Sequence, residues 1–152
     1  MITRKGNYKF DKYKKNLQIE KRQGMPLLVG NAAKNHFLKG FSVGDQQGGG
    51  FTNNSRGGWE KRKKITRRQR GKNLLVDSGD LRRFIQAKGI LKRTFERTEI
   101  GVKGIRYARI HNEGGRIRGG SMPKREYIGD SDVLTRKLKV LLTRFLDKKV
   151  FK

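Results

Sequence analysis

The sequence predicts a small α+β domain: a small antiparallel sheet of about three to four strands, packed with an N-terminal helix and a C-terminal amphipathic helix, with long Gly-rich and basic loops. Three observations carry this. Leu134, Leu138, Leu141 and Phe145 fall at i, i+4, i+7 and i+11, one apolar stripe of a helix. Leu27, Leu28, Ala32, Ala33, His36 and Phe37 recur at helical spacing nearer the N-terminus. Between them, Phe84 to about Lys103 is rich in Ile, Phe, Thr and Val and contains no proline, as strands require.

The elements follow in order. Residues 1–15 are Lys-rich with scattered Tyr8, Phe10 and Tyr13, and read either as a basic arm ordered on contact with a partner or as a disordered solubilising tail. Residues 16–152 read as a single domain with a Gly-rich and basic loop insertion at about 42–73. Helical signals run from Asn16 to about Lys39, interrupted near Gly24-Met25-Pro26, where Pro26 opens a helix rather than breaking one. Gly40 is its stop. Residues 42–58 form a Gly/Asn loop ending at Trp59, which is expected to pack onto the core as a lid.

Lys61 to Lys72 holds eight basic residues in twelve and no acid, so it is either exposed and extended or neutralised by a partner. After the apolar Leu74-Leu75-Val76, Ser78 is the expected N-cap of a short helical turn and Asp80 complements its dipole. Two antiparallel strands are predicted at roughly 83–90 and 94–102, turning near Gly89–Arg93. Ile105–Asn112 is helical in pattern and ends at Gly114-Gly115; Arg116–Ser121 is a loop and Met122–Ile128 a last strand. Asp130, Ser131 and Asp132 offer caps to the C-terminal helix, and Lys148 and Lys149 suit its end.

Composition narrows the function classes. Hydrophobic residues make up 33%, so the core is small and some apolar surface is expected to be satisfied by neighbours. The net charge is +26, from 39 Lys+Arg against 13 Asp+Glu, and suits a polyanion or an acidic protein partner. The absence of cysteine excludes disulfides and thiolate metal sites. No apolar run approaches the roughly 18 residues of a membrane span, and Met1–Lys5 is not followed by a signal core; a soluble protein made in a cytoplasm, with no membrane contact, is expected.

Catalytic chemistry finds little support. Asp77, Ser78, Asp80 and His111 supply the inventory of a Ser–His–Asp triad, but no nucleophile elbow frames the serine, and a capped turn plus a structural histidine accounts for them. Two histidines 75 positions apart without cysteine do not make a metal site. No Gly-Lys-Ser/Thr follows the glycine pairs, so they do not form a phosphate loop. The chain is therefore expected to be no enzyme and to carry no cofactor or metal. Nucleic-acid binding is a serious alternative: Lys61–Lys72, Arg56-Gly57-Gly58 and Arg118-Gly119-Gly120 are like the basic segments that track phosphate backbones, although no helix-turn-helix, zinc-finger, KH or RNP pattern is found.

Short motifs stand in a fixed order: Phe37, the turn to Gly57-Gly58-Trp59, a basic stretch, Leu75-Val76-Asp77-Ser78-Gly79-Asp80-Leu81, then Tyr107-Ala108-Arg109-Ile110-His111-Asn112-Glu113-Gly114-Gly115, and Met122-Pro123-Lys124-Arg125 closed by Gly129. This order resembles the phage virion morphogenesis (tail completion) family. The resemblance runs from about Leu27 to Asp132. Where the family commonly has Pro-Ala-Arg-Pro-Phe, this chain has Pro123-Lys124-Arg125-Glu126-Tyr127.

The resemblance implies a structural virion protein acting as tail completion or tail terminator protein at the head–tail neck, assembled in the host cytoplasm. It implies a homo-oligomeric ring, six-fold, that joins head-connector to tail-tube proteins, with contact to packaged DNA suggested by charge. Another head or neck component of the same fold is a second alternative, after the nucleic-acid-binding one. The family offers no catalytic residues, so Asp77, Ser78, Gly79, Leu81, Tyr107, His111, Gly114, Gly115, Pro123, Arg125 and Gly129 are expected to be turn and packing devices. Within them Leu81, Tyr107, Ile110 and Ile128 are expected in the core, and His111 is expected to bond backbone near the Gly pair. Partner or polyanion contacts are expected from the basic residues Lys61, Arg62, Lys63, Lys64, Arg67, Arg68, Arg70 and Lys72, together with Arg116 and Arg118.

Overall fold

The computed structural model describes residues 10–41, 59, 64–72, 74–76, 78–94 and 96–151, with the Arg68 side chain left aside. The arm residues 1–9, the Gly-rich loop 42–58, Lys61, Arg62, Lys63 and Asp77 lie outside the described residues. Among the described residues the α+β class holds: helices α1 (Phe10–Arg22), α2 (Gly24–Gly40), α3 (Asp80–Lys88), α4 (Ala108–Glu113) and α5 (Asp132–Lys149), with strands β1 (Ile90–Arg93), β2 (Thr98–Ile100), β3 (Gly115–Ile117) and β4 (Gly120–Met122). The four strands form two separate antiparallel hairpins, β1–β2 and β3–β4.

Helix α2 is the centre of the packing. It lies against α1, α3, α5 and both strands of the first hairpin. Its buried residues are mostly small, Gly30, Ala32, Ala33 and Gly40 beside Phe37, which lets neighbours approach closely. A Cβ on Gly30 would stand 2.9 Å from Ile90 Cδ1, so the bare position lets the Ile90 side chain lie directly against α2. The sequence places the arm at 1–15, whereas Phe10–Lys15 are already helical in α1.

Residues 83–88 are helix, not strand. Leu81 and Ile85 stand four apart and are both fully buried, while Arg82, Arg83, Gln86 and Lys88 face out, so helical period and propensity outweigh the β-like Phe84-Ile85 pair. The predicted turn at Gly89–Arg93 instead overlaps β1, and beyond that strand Thr94 N–H donates to Arg97 O at 2.8 Å. The ladder pairs Ile90 with Ile100 and Arg93 with Thr98, with an irregularity between Ile90 and Lys92.

The expected strand Met122–Ile128 is also corrected: β4 ends at Met122, and residues 123–131 run without regular structure. Pro123 has no N–H to give a ladder. The amides beyond it bond to α4 instead, as described below. In α5 the N-cap is Ser131, whose Oγ accepts from Leu134 N–H at 3.2 Å, and the apolar stripe Leu134, Leu138, Leu141 and Phe145 faces inward. Twelve apolar residues are buried among those described and three of them are alanine, so the core is as thin as the composition implies.

Candidate functional site

The motif residues converge on one place. Helix α4 ends at Gly114, which has φ 73 and donates its N–H to Ile110 O at 2.9 Å. A Cβ there would meet Lys124 N at 2.9 Å, so glycine serves both the left-handed turn and the close return of the chain. The returning segment 123–128 then lies along α4. Arg125 N–H donates to His111 O at 2.8 Å. The Asn112 Oδ1 accepts from both Tyr127 N–H (3.0 Å) and Ile128 N–H (3.1 Å). The Tyr127 hydroxyl donates to Ala108 O at 3.1 Å, and Trp59 Nε1–H donates to Glu126 O at 2.8 Å.

Beneath this lattice sits an aromatic trio. Phe41 meets Trp59 edge-on at 5.6 Å and Tyr127 at 5.8 Å between ring centroids. Leu74, Leu81, Ile85 and Ala108 complete the cluster, so Trp59 is a core residue as well as a lid. Burial first, then Glu113 and Tyr107, push the Tyr127 phenol up to about 12, keeping it a neutral donor. Leu75, against the same cluster, takes φ 60, a left-handed conformation unusual for a branched side chain and held there by its packing.

Several expected roles shift. The N-cap of α3 is Gly79 (φ 80), not Ser78. Ser78 instead donates its hydroxyl to Asp80 Oδ2 at 2.6 Å. Hydrogen bonds from Ser78 and then Arg83 hold the Asp80 carboxyl below its ordinary value. Leu81 is core and Ile110 and Ile128 are half-buried, but Tyr107 is exposed, its ring edge against His111. The His111 carbonyl, rather than its ring, ties the Gly turn to the next segment, and its buried Nδ1 meets no partner among the described residues. Arg125 is buried, and Gly115, with φ 136, opens the second hairpin. Pro123 and Gly129 are half-buried.

His36 and Ser131 form a contact the sequence does not announce, with Nε2 and Oγ 3.0 Å apart. A serine beside a histidine invites a nucleophilic reading, but Ser131 is 7% exposed and its oxygen caps α5. Burial, then Lys137 and Lys39, lower the His36 pKa; burial, then Arg125, lower that of His111. The folded protein thus disfavours the charged form of both rings, while in the unfolded chain they take protons near the ordinary 6.5. The associated stability is fully present above pH 6.5 and is lost as pH falls toward the lowered folded values. Denaturant midpoints should drop between pH 7.5 and pH 5.5, roughly the histidine range, and a His36→Gln, His111→Gln double variant should show a flatter decline. An equal slope in the double variant would assign the loss to other groups.

Of the expected contact residues, Lys64, Arg67, Arg70, Arg116 and Arg118 are exposed and Lys72 is half-buried. The stretch is not fully extended: a 3-10 turn spans Arg67–Gln69, with Thr66 and Gln69 capping each other. Arg116 and Arg118 stand on the β3–β4 hairpin, whose strands pair Arg116 with Ser121 around the Arg118-Gly119 turn. Among the described residues no three His, Asp or Glu side chains gather as metal ligands, and no helix is long and apolar enough to cross a membrane.

Sequence reasoning missed Phe41, although it stands four residues after Phe37, and Asn112, a polar residue inside a motif read as turn and core. The arrangement can hold a fold and present basic loops: Asn112, Tyr127, Trp59 and the His111 carbonyl are all used to join α4 to the 123–128 return. The model of the phage virion morphogenesis family matches residues 43–147, which include Trp59, α3, α4, the 123–128 return and nearly all of α5. No curated protein and no solved structure matches the chain. With more than half of its length in that match, and with the motifs of the match joined in one core, the chain belongs to the phage virion morphogenesis family and has a structural or morphogenetic role in the virion.

Proposed function

We propose that the protein completes the phage tail at the head–tail neck as a terminator or joining component, assembled as a homo-oligomeric ring, six-fold, and that it is no enzyme. The observation that carries this is the use of the family motifs: the Tyr107–Gly115 and Pro123–Gly129 segments bond to each other through Asn112, the Tyr127 hydroxyl and the His111 carbonyl, which serves the fold. Function then falls to the surface. A thin core and exposed basic residues suit docking on neighbouring subunits, with the connector and tail tube as partners and packaged DNA within reach of the excess charge.

Particles assembled without the protein should show, in negative stain, unjoined heads and tails or tails of irregular length. Normal infectious particles would overturn the reading. A nucleic-acid-binding accessory protein is the second reading, favoured by the exposed Arg67, Arg70, Arg116 and Arg118. It predicts intact particle architecture in the same images.

A further inference from the structure

The two hairpins meet the rest of the molecule differently. Strands β1 and β2 seat on α2, the residues of β2 are half-buried, and the ladder carries an irregularity between Ile90 and Lys92 of the kind that blunts an edge. Strands β3 and β4 pair in unbroken register, and every residue but Met122 is exposed. No third strand lies beside them among the described residues. Their base meets the body where Gly115 lies beside Ile110 and Met122 Sδ accepts from Arg125 Nη1–H at 3.7 Å. A Cβ on Gly119 or Gly120 would find nothing within 4 Å, so the turn stands clear. The two-residue turn makes Ile117 and Gly120 a hydrogen-bonding pair, which points the amide and carbonyl of Arg116 away from β4. On the β4 side Pro123 removes the next donor, so β3 is the more complete edge.

We propose that the open edge of β3 receives an extended segment of another protein, one that alternates acidic and apolar side chains. A free, regular edge is a template for a further strand, and a two-stranded ribbon by itself is only marginally stable, so a third strand completes what the chain leaves unfinished. The pleat sets the pattern. Arg116 and Ser121 share one face, while Ile117 (43% exposed) and Met122 share the other, each across from a glycine that leaves room for an incoming side chain. An acid opposite Arg116 and an aliphatic residue opposite Ile117 fit those two faces. Residues 114–123 contain Arg116 and Arg118 and no acid, so the same hairpin of a second copy would set arginine against arginine in a chain of net charge +26. The inference rests on the assembly reading only in taking the partner to be a protein; the particle images test that reading, and the isolated full-length chain tests this one.

The probe is a synthetic peptide of about seven residues, close to a common strand length, that alternates Glu and Val. Beside it stands the same peptide N-methylated at every residue, which keeps charge and side chains but has no backbone donor. Fluorescence anisotropy should show the parent peptide binding at least about tenfold tighter than its N-methylated form. Arg116→Pro, which removes the edge amide, should weaken binding about fivefold or more beyond Arg116→Gln, which removes only the charge. Nuclear magnetic resonance should show solvent exchange of the Arg116 amide slowed about tenfold or more by the parent peptide. Circular dichroism checks that each variant is folded, and the N-methyl comparison on the unaltered chain stands whatever the variants do. Equal binding of the two peptides, or equal loss in the two Arg116 variants, would overturn the proposal in favour of net charge alone. Protection of that amide growing with protein concentration in the absence of peptide would overturn it in favour of a second copy.

Discussion

Phe41→Ala is expected to leave the protein unfolded or close to it at 37 °C. Phe41 is 0% exposed, it closes α2, and its ring touches both Trp59 and Tyr127. Removing a buried phenylalanine costs about 3–5 kcal/mol through lost transfer energy and the cavity left behind. A domain with total stability of roughly 5–15 kcal/mol loses much of it at a stroke, and this thin core places the chain toward the low end. Urea denaturation of the variant should show a midpoint far below that of the parent, or no cooperative transition. Phe10→Ala is the matched control: Phe10 is 72% exposed, and its loss should change stability by no more than about 0.5 kcal/mol. Equal effects at the two positions would mean that the aromatic trio is not the core.

Asn112→Ala should have the next largest effect. One side-chain oxygen holds two backbone amides, those of Tyr127 and Ile128, at 3.0 and 3.1 Å. Without it, both donors lose their partner at once, at about 1–3 kcal/mol for each partly buried group left unsatisfied. Asn112→Asp retains the acceptor and should recover most of the stability at neutral pH. Hydrogen exchange gives the local readout: protection at Tyr127 and Ile128 should vanish in the alanine variant and persist in the aspartate one. If the two variants behave alike, packing around Phe41 holds the return segment without Asn112.

Local signals in the sequence translated well where one element's own pattern decided its state. The α5 stripe, its Ser131 cap and the stop of α2 at Gly40 were all legible, because helical period and end chemistry act within a few residues. The stretch from Arg82 to Lys88 was not, since Phe84-Ile85 satisfies a strand pattern as readily as a helical one, and burial of Leu81 and Ile85 together decided for the helix. The Met122–Ile128 segment failed for a related reason. Its residues read as a strand, but with Pro123 at its start and α4 alongside, its amides found Asn112 and His111 O rather than a neighbouring strand.

The motif residues were legible as turns and packing devices, and Gly114 and Leu81 have those roles. What they pack against was not. By itself the sequence determined the element inventory near each helix, the basic excess of +26 and the family-like order of motifs, because these depend on spacing and composition. Only the tertiary structure decided that Phe41, Trp59 and Tyr127 meet, that Asn112 joins α4 to a segment 15 residues on, and that α5 leaves Val133 and Val140 exposed. Those are contacts between residues far apart in the chain or choices between faces of one helix. Neither is encoded in local periodicity; both are settled by which surfaces fit together while leaving the fewest polar groups buried alone.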